Sequence, residues 1–121
     1  MKVLVVDDDR LMLEAIAHVL EADGCEVMLA EDGLKAFRII KNGGVNLILS
    51  DIMMPDMSGL ELLNLANEFD FKKIPVILIS SLDKADVISC AKALGAKAFL
   101  SKPINFAKLS FFVKKYANEN L

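Results

Sequence analysis

Five times along this chain a short apolar run rich in β-formers is followed by a longer segment with apolar residues at helical spacing. Such an alternation predicts an α/β fold, in which parallel strands form one sheet and crossover helices cover it. The predicted strands are residues 3–6, 26–30, 46–50, 75–79 and 98–100. The first is continuously apolar, as a central strand covered on both faces should be. The fourth is the most apolar of the five.

Five helices alternate with these strands. The first carries a stripe of Met12, Ile16, Val19 and Leu20 and stops near Asp23 and Gly24, where glycine supplies a left-handed cap. Asp32 caps the second, which turns Ala36, Phe37 and Ile40 inward and ends at Asn42, Gly43 and Gly44. Ser58 and Glu61 stand in capping-box spacing and open a third helix with Leu60, Leu63 and Ala66. Residues 70–73 link it to the fourth strand. The fourth helix carries Val87, Ala91 and Leu94 before Gly95, and the fifth begins at Asn105 with Phe106, Leu109, Val113 and Tyr116 as its buried stripe.

Length and composition narrow the function classes. The chain has 121 residues, 55% of them hydrophobic, with 3 Pro and 6 Gly, so residues 1–121 are expected to form one domain with a sizeable core. A net charge of −3 without a basic block argues against direct nucleic-acid binding. No apolar run approaches the ~20 residues that span a bilayer, and no secretory leader is apparent, so a cytoplasmic location without membrane association is expected. Cys25 and Cys90 are far apart and are read as reduced, packing cysteines. His18, the sole histidine, points away from the first helix's stripe and is read as a solvated surface residue.

The chemistry collects at the strand ends, where ligands bind in an open parallel sheet. The first strand delivers Asp7, Asp8 and Asp9, the third Asp51, the fourth Ser80 and Ser81, and the fifth Lys102. Carboxylates converging from two strands repel one another and raise each other's pKa unless a cation lies among them. Hard oxygen donors favour a divalent ion such as Mg2+, which keeps waters and leaves room for a phosphoryl oxygen. A lysine and a hydroxyl from the neighbouring strands then serve as donors to phosphoryl oxygens, and the central carboxylate becomes the nucleophile. Asp9 is favoured by the helix dipole in any case.

These residues carry a resemblance. Asp7 and Asp8, Asp51 followed by Met54, Pro55, Ser58 and Gly59, then Ser80, and finally Lys102 and Pro103 occur in the order found in receiver domains of two-component response regulators. The similarity extends to Ala30 through Gly33, to Gly43 and Gly44, and to Leu94 through Ala96, and it covers essentially the whole chain. The chain is similar to the single-domain chemotaxis regulators. The resemblance implies a flavodoxin-like, doubly wound five-stranded parallel sheet in the order 2-1-3-4-5 with five helices; with no repeat and no linker composition, no output domain is expected in this chain. It implies that Asp51 accepts a phosphoryl group from the phosphohistidine of a sensor histidine kinase or phosphotransfer protein. Asp8, Asp51 and the Met53 backbone carbonyl would hold Mg2+, with Asp7 acting through a water. Lys102 would pair with the phosphoryl group, Ser80 would move toward it, and Phe99 would turn inward as Ser80 leaves its place.

The fourth helix, fifth strand and fifth helix form the family's usual partner face, to which Phe99 and an exposed Phe111 would contribute. A downstream protein target is expected to bind this face. The paired charges that winged-helix regulators use to dimerise there are not apparent, so a monomer is the default, with dimerisation on phosphorylation as the alternative. Two departures stand out. Phe99 lacks the hydroxyl of the tyrosine often found there, and the positions two beyond the acceptor and the switch hydroxyl, Met53 and Leu82, are both apolar. Neither side chain can orient an attacking water, which predicts slow autodephosphorylation.

Other readings compete. A haloacid-dehalogenase-like Mg2+-dependent phosphatase would use Asp7 and Asp9 as its Asp-x-Asp pair, but Leu11 stands where a small hydroxylated or branched residue is needed, a later Gly-Asp-x-x-x-Asp run is absent, and Asp51 has no role. A flavodoxin-type phosphate-binding loop would not carry three aspartates. A receiver-like docking module that is never phosphorylated would leave every filled chemical position unexplained. The receiver is expected to be a signalling domain whose only catalysis is its own phosphorylation and dephosphorylation.

Overall fold

The computed structural model describes residues 1–54, 56–68, 74–82 and 84–119. Pro55, the expected link over 70–73 and the side chain of Ala66 lie outside the residues so described. Strands β1 (Lys2–Val6), β2 (Glu26–Ala30), β3 (Leu47–Asp51), β4 (Val76–Ser80) and β5 (Ala98–Ser101) alternate with helices α1 (Arg10–Ala22), α2 (Gly33–Lys41), α3 (Gly59–Glu68), α4 (Ala85–Ala93) and α5 (Phe106–Glu119). All strand pairs are parallel, in the order β2-β1-β3-β4-β5. The expected flavodoxin-like arrangement is therefore present. No helix among the described residues is long and apolar enough to cross a membrane.

Because β1, β3 and β4 are buried on both faces, their side chains alternate between two cores. Val3, Val5, Leu47, Leu49, Ile77 and Ile79 pack under α1 and α5 with Leu13, Ile16, Leu20, Leu109 and Val113. Leu4, Val6, Ile48, Val76 and Leu78 face the opposite way, toward Ala36 and Ile40 of α2, Leu62 and Leu63 of α3 and Ala91 of α4.

Several helix faces differ from expectation. The buried stripe of α1 is Leu13, Ile16, Ala17 and Leu20, with Met12 and Val19 half-buried at its margin. The Asp9 carboxylate caps the helix by accepting from the N–H groups of Leu11 and Met12, and this start turns Leu13 rather than Met12 onto the sheet. In α5, Phe106 is exposed, because it lies in the first turn, before Leu109 reaches the core. Leu109, Val113 and Ala117 form the seam there, while Tyr116 is half-buried and stacks on Phe112 with ring centroids 6.0 Å apart. Phe37, Leu60, Val87 and Leu94 are also only half-buried. Cys25 packs in the core as expected, but Cys90 is exposed on α4. His18 is exposed, as predicted.

Three strands end one residue further than their apolar runs suggest, at Asp51, Ser80 and Ser101. Asp51 pairs with Ile79, and Ser80 pairs with Ser101. The Ile52 N–H then donates to Ile79 O and the Lys102 N–H to Ser80 O, at 2.9 and 3.0 Å. Asp51 and Ser80 are thus the last residues of rigid strands, not the first of loops.

Candidate functional site

Asp7 follows β1, and its N–H still donates to Ala30 O at 3.1 Å, so the sheet fixes its backbone. Its side chain is buried, and Oδ1 accepts from the Asp9 N–H at 2.9 Å. Asp8 is exposed beside it. Asp51 is buried at the end of β3, where Oδ1 accepts from the Met53 N–H at 3.3 Å. Carboxylate oxygens of Asp7, Asp8 and Asp51 all lie within 4.8 Å of one another. Asp9 is not in that group, since its carboxylate serves the α1 N-terminus.

Lys102 closes the cluster. Its Nζ lies 3.2 Å from Asp51 Oδ2 and 3.3 Å from Asp7 Oδ2. The bond that follows it, Lys102–Pro103, is cis. Burial pushes the Asp7 carboxyl above its ordinary range, and the Asp51 charge adds to this, against the Asp9 N–H and Lys102. Burial alone would lower the Lys102 pKa, but attraction to Asp51 and Asp7 outweighs it and raises the ammonium above its usual value. One ammonium thus pairs with two of the three carboxylates, and Asp8 stands outside that pairing.

Ser80 is buried, and its Oγ accepts from the Leu82 N–H at 2.9 Å. Phe99, half-buried on β5, packs against the core on the α2, α3 and α4 side. Met53 and Leu82 are both exposed, and Met53 lines an open cavity of about 430 Å³ with Asp8, Ile52, Met54 and Ser58. Phe111 is exposed on α5, as expected.

Two contributors to the site had weaker signals in the sequence. The Ser50 hydroxyl donates to Asp51 O at 3.0 Å from a fully buried position, and nothing in an apolar strand marks it. Gly59 begins α3 so close to the acceptor strand that a Cβ there would lie 2.4 Å from Asp51 O. Its N–H donates to Ile52 O at 2.9 Å, and the Ser58 hydroxyl caps the helix by accepting from the Glu61 N–H. The glycine is its own signal, though its reason appears only in three dimensions.

A crevice at the carboxyl ends of a parallel sheet, with a buried carboxylate held by a lysine, is suited to taking up a phosphoryl group. This defines the class: a phosphoryl-accepting signalling domain of flavodoxin-like fold. The chain belongs to the response regulator receiver domain family, which it matches over residues 3–114. Among curated relatives, the chemotaxis protein CheY of Treponema pallidum is 38% identical over 111 residues, covering 89% of this chain and 76% of that protein. The transcriptional regulatory protein CrdR of Helicobacter pylori is 32% identical over 98% of this chain, which spans only 56% of the length of CrdR. The receiver domain of the Francisella response regulator 1452 superposes with a TM-score of 0.92 at 30% identity, covering 99% of this chain and 98% of that one. The Vibrio cholerae chemotaxis protein CheY4 superposes with a TM-score of 0.88 at 29% identity, covering 95% and 97%. The chain is thus a two-component receiver domain, and the free-standing phosphatase reading is not favoured.

Proposed function

We propose that Asp51 is the phosphoacceptor and that Lys102 and Ser80 assist it. The observation that carries this reading is the placement of the Lys102 ammonium on an oxygen of a buried Asp51 at a strand end. A carboxylate oxygen of Asp51 attacks the phosphorus of a phosphohistidine. The new O–P bond forms as the N–P bond breaks, and the bonding pair returns to the imidazole. Lys102 follows the charge onto the phosphoryl oxygens while keeping Asp7 as its counter-ion.

The donor set fits Mg2+: hard oxygens, mutually close, with one exposed carboxylate and one carboxyl of raised pKa. Asp8, Asp51 and the Met53 carbonyl would hold the ion, with Asp7 acting through water, and the bound ion would supply neutralising charge to the phosphoryl group.

Ser80 and Phe99 form the switch in this reading. A Ser80 hydroxyl that gives up the Leu82 N–H can donate to a phosphoryl oxygen, and Phe99 moves into the space it leaves. The response is read out on the face of α4, β5 and α5 by a downstream protein. Lys108, Phe111 and Lys115 recur there at one-turn spacings, so an acidic segment with an apolar anchor is the complementary partner. The phosphodonor is a sensor histidine kinase or a phosphotransfer protein.

Transfer from a phosphorylated histidine kinase tests the assignment. Label should appear on the wild type and be absent from Asp51→Asn, and label retained by that variant would overturn it.

A further inference from the structure

We infer that Met53 is an oxidation site that controls the lifetime of the aspartyl phosphate, an inference that rests on Asp51 being the acceptor. Of the six methionines, Met53 is the most exposed, at 55%, with Met1 next at 37%. The other four are half-buried: Met12 packs against the α1 and α5 core, and Met28, Met54 and Met57 against the opposite one. Packing covers most of those thioethers, Met54 included although it also lines the cavity, while the side chain of Met53 stands at the open edge of the crevice.

Its position makes oxidation consequential. The Met53 N–H donates to Asp51 Oδ1, which ties the base of this side chain to the acceptor carboxylate. The same residue lines the open cavity beside Asp8. Asp51 itself is buried, so water reaches a phosphoryl group on it from the open side, which Met53 borders together with Asp8, Met54 and Ser58. A thioether there neither binds nor orients that water. A sulfoxide carries a strong acceptor oxygen at the same place and can hold a water by hydrogen bonding.

The chemistry is balanced by a peroxide. A sulfur lone pair attacks one oxygen of hydrogen peroxide, the S–O bond forms as the O–O bond breaks, and the departing hydroxide takes the proton from the oxygen now on sulfur, leaving sulfoxide and water. Sulfur is oxidised by two electrons and the peroxide is reduced by two. Reductases specific for methionine sulfoxide reverse the change, so the mark is erasable.

The test uses the whole chain treated with hydrogen peroxide, mapped by peptide mass, and then phosphorylated with acetyl phosphate. Oxygen should appear first on Met53, and the phosphoryl half-life should fall several-fold. Sulfoxide reductase should restore the original half-life. Met53→Leu retains Cys90 and the other methionines, so its half-life should be the same before and after peroxide. An unchanged half-life in wild type carrying Met53 sulfoxide would overturn the inference, as would an equal acceleration in Met53→Leu. Failure of the Asp51 assignment looks different: unoxidised protein would take no phosphoryl group, or would take it elsewhere, and the inference would fall with it.

Discussion

The Lys102 ammonium lies 3.2 Å from Asp51 and 3.3 Å from Asp7, so a single side chain from the end of β5 holds carboxylates delivered by β3 and β1. Both carboxylates are buried, whereas the lysine side chain keeps 23% of its exposure. The lysine can therefore leave Asp51 for a phosphoryl group without itself being desolvated further, while the carboxylates cannot leave one another.

Replacing Lys102 by methionine removes that cation and leaves two buried carboxylates facing each other. A partner loss of this kind costs about 1–3 kcal/mol, discounted here toward the lower end because the lysine is partly solvated. Urea unfolding should show the loss, and phosphorylation by acetyl phosphate should slow about a hundredfold, as when a single donor to a transferring group is removed. Wild-type stability with wild-type rates would contradict the pairing.

Asp7 titrates upward, and the sign of its effect follows. A folded-state pKa above the ordinary 3.8 means that the folded protein holds its proton where the unfolded chain has released it. Ionised Asp7 therefore destabilises the metal-free fold at neutral pH, and that cost disappears as pH falls below the unfolded value. Asp7→Asn should melt higher than wild type at pH 7 in chelator, and the two should converge on acidification. Added Mg2+ should stabilise the wild type more than the variant, which keeps Asp8 and Asp51 but loses the charge that acts through water.

Gly59→Ala would press a methyl group against the backbone of the acceptor strand, 2.4 Å from Asp51 O. Neither partner is a flexible side-chain tip, so the start of α3 must shift, at about 1–3 kcal/mol. Thermal melting should register this, together with slower phosphorylation. An alanine variant of unchanged stability would show that α3 can stand off from the strand.

Met53 and Leu82 flank the acceptor and the switch hydroxyl with apolar, exposed side chains. Exchange of Met53 for asparagine and of Leu82 for glutamine should each speed loss of phosphate, because each supplies a group that can orient water. Decay of the phosphorylated protein checks this, and unchanged decay in the double variant would leave the slow-hydrolysis reading without support.

Much of this was legible from residue order. Asp7, Asp51, Ser80 and Lys102 lie at or just beyond the ends of the apolar runs, and the parallel architecture then places those ends in one crevice. The strand ends at Asp51, Ser80 and Ser101 were each missed by one residue, since backbone pairing is indifferent to the polarity of the side chain it carries. The face of α1 was ambiguous because Leu11, Met12 and Leu13 are all apolar, and only the Asp9 cap selects among them. Phe106 keeps the helical period but stands before the first core residue of α5, a fact of element placement that periodicity does not carry. Cys90 was misread for the opposite reason: a small apolar residue on a short helix gives no directional signal. The contacts of Ser50 and Gly59 with Asp51 O depend on how closely strand and helix approach.

Intact mass after incubation with acetyl phosphate and Mg2+ tests the central claim most directly, run beside Asp51→Asn and a chelated control. The account predicts one added phosphoryl group on the wild type, labile to hydroxylamine and missing from both controls. An adduct that persists in Asp51→Asn, or one resistant to hydroxylamine, would contradict it.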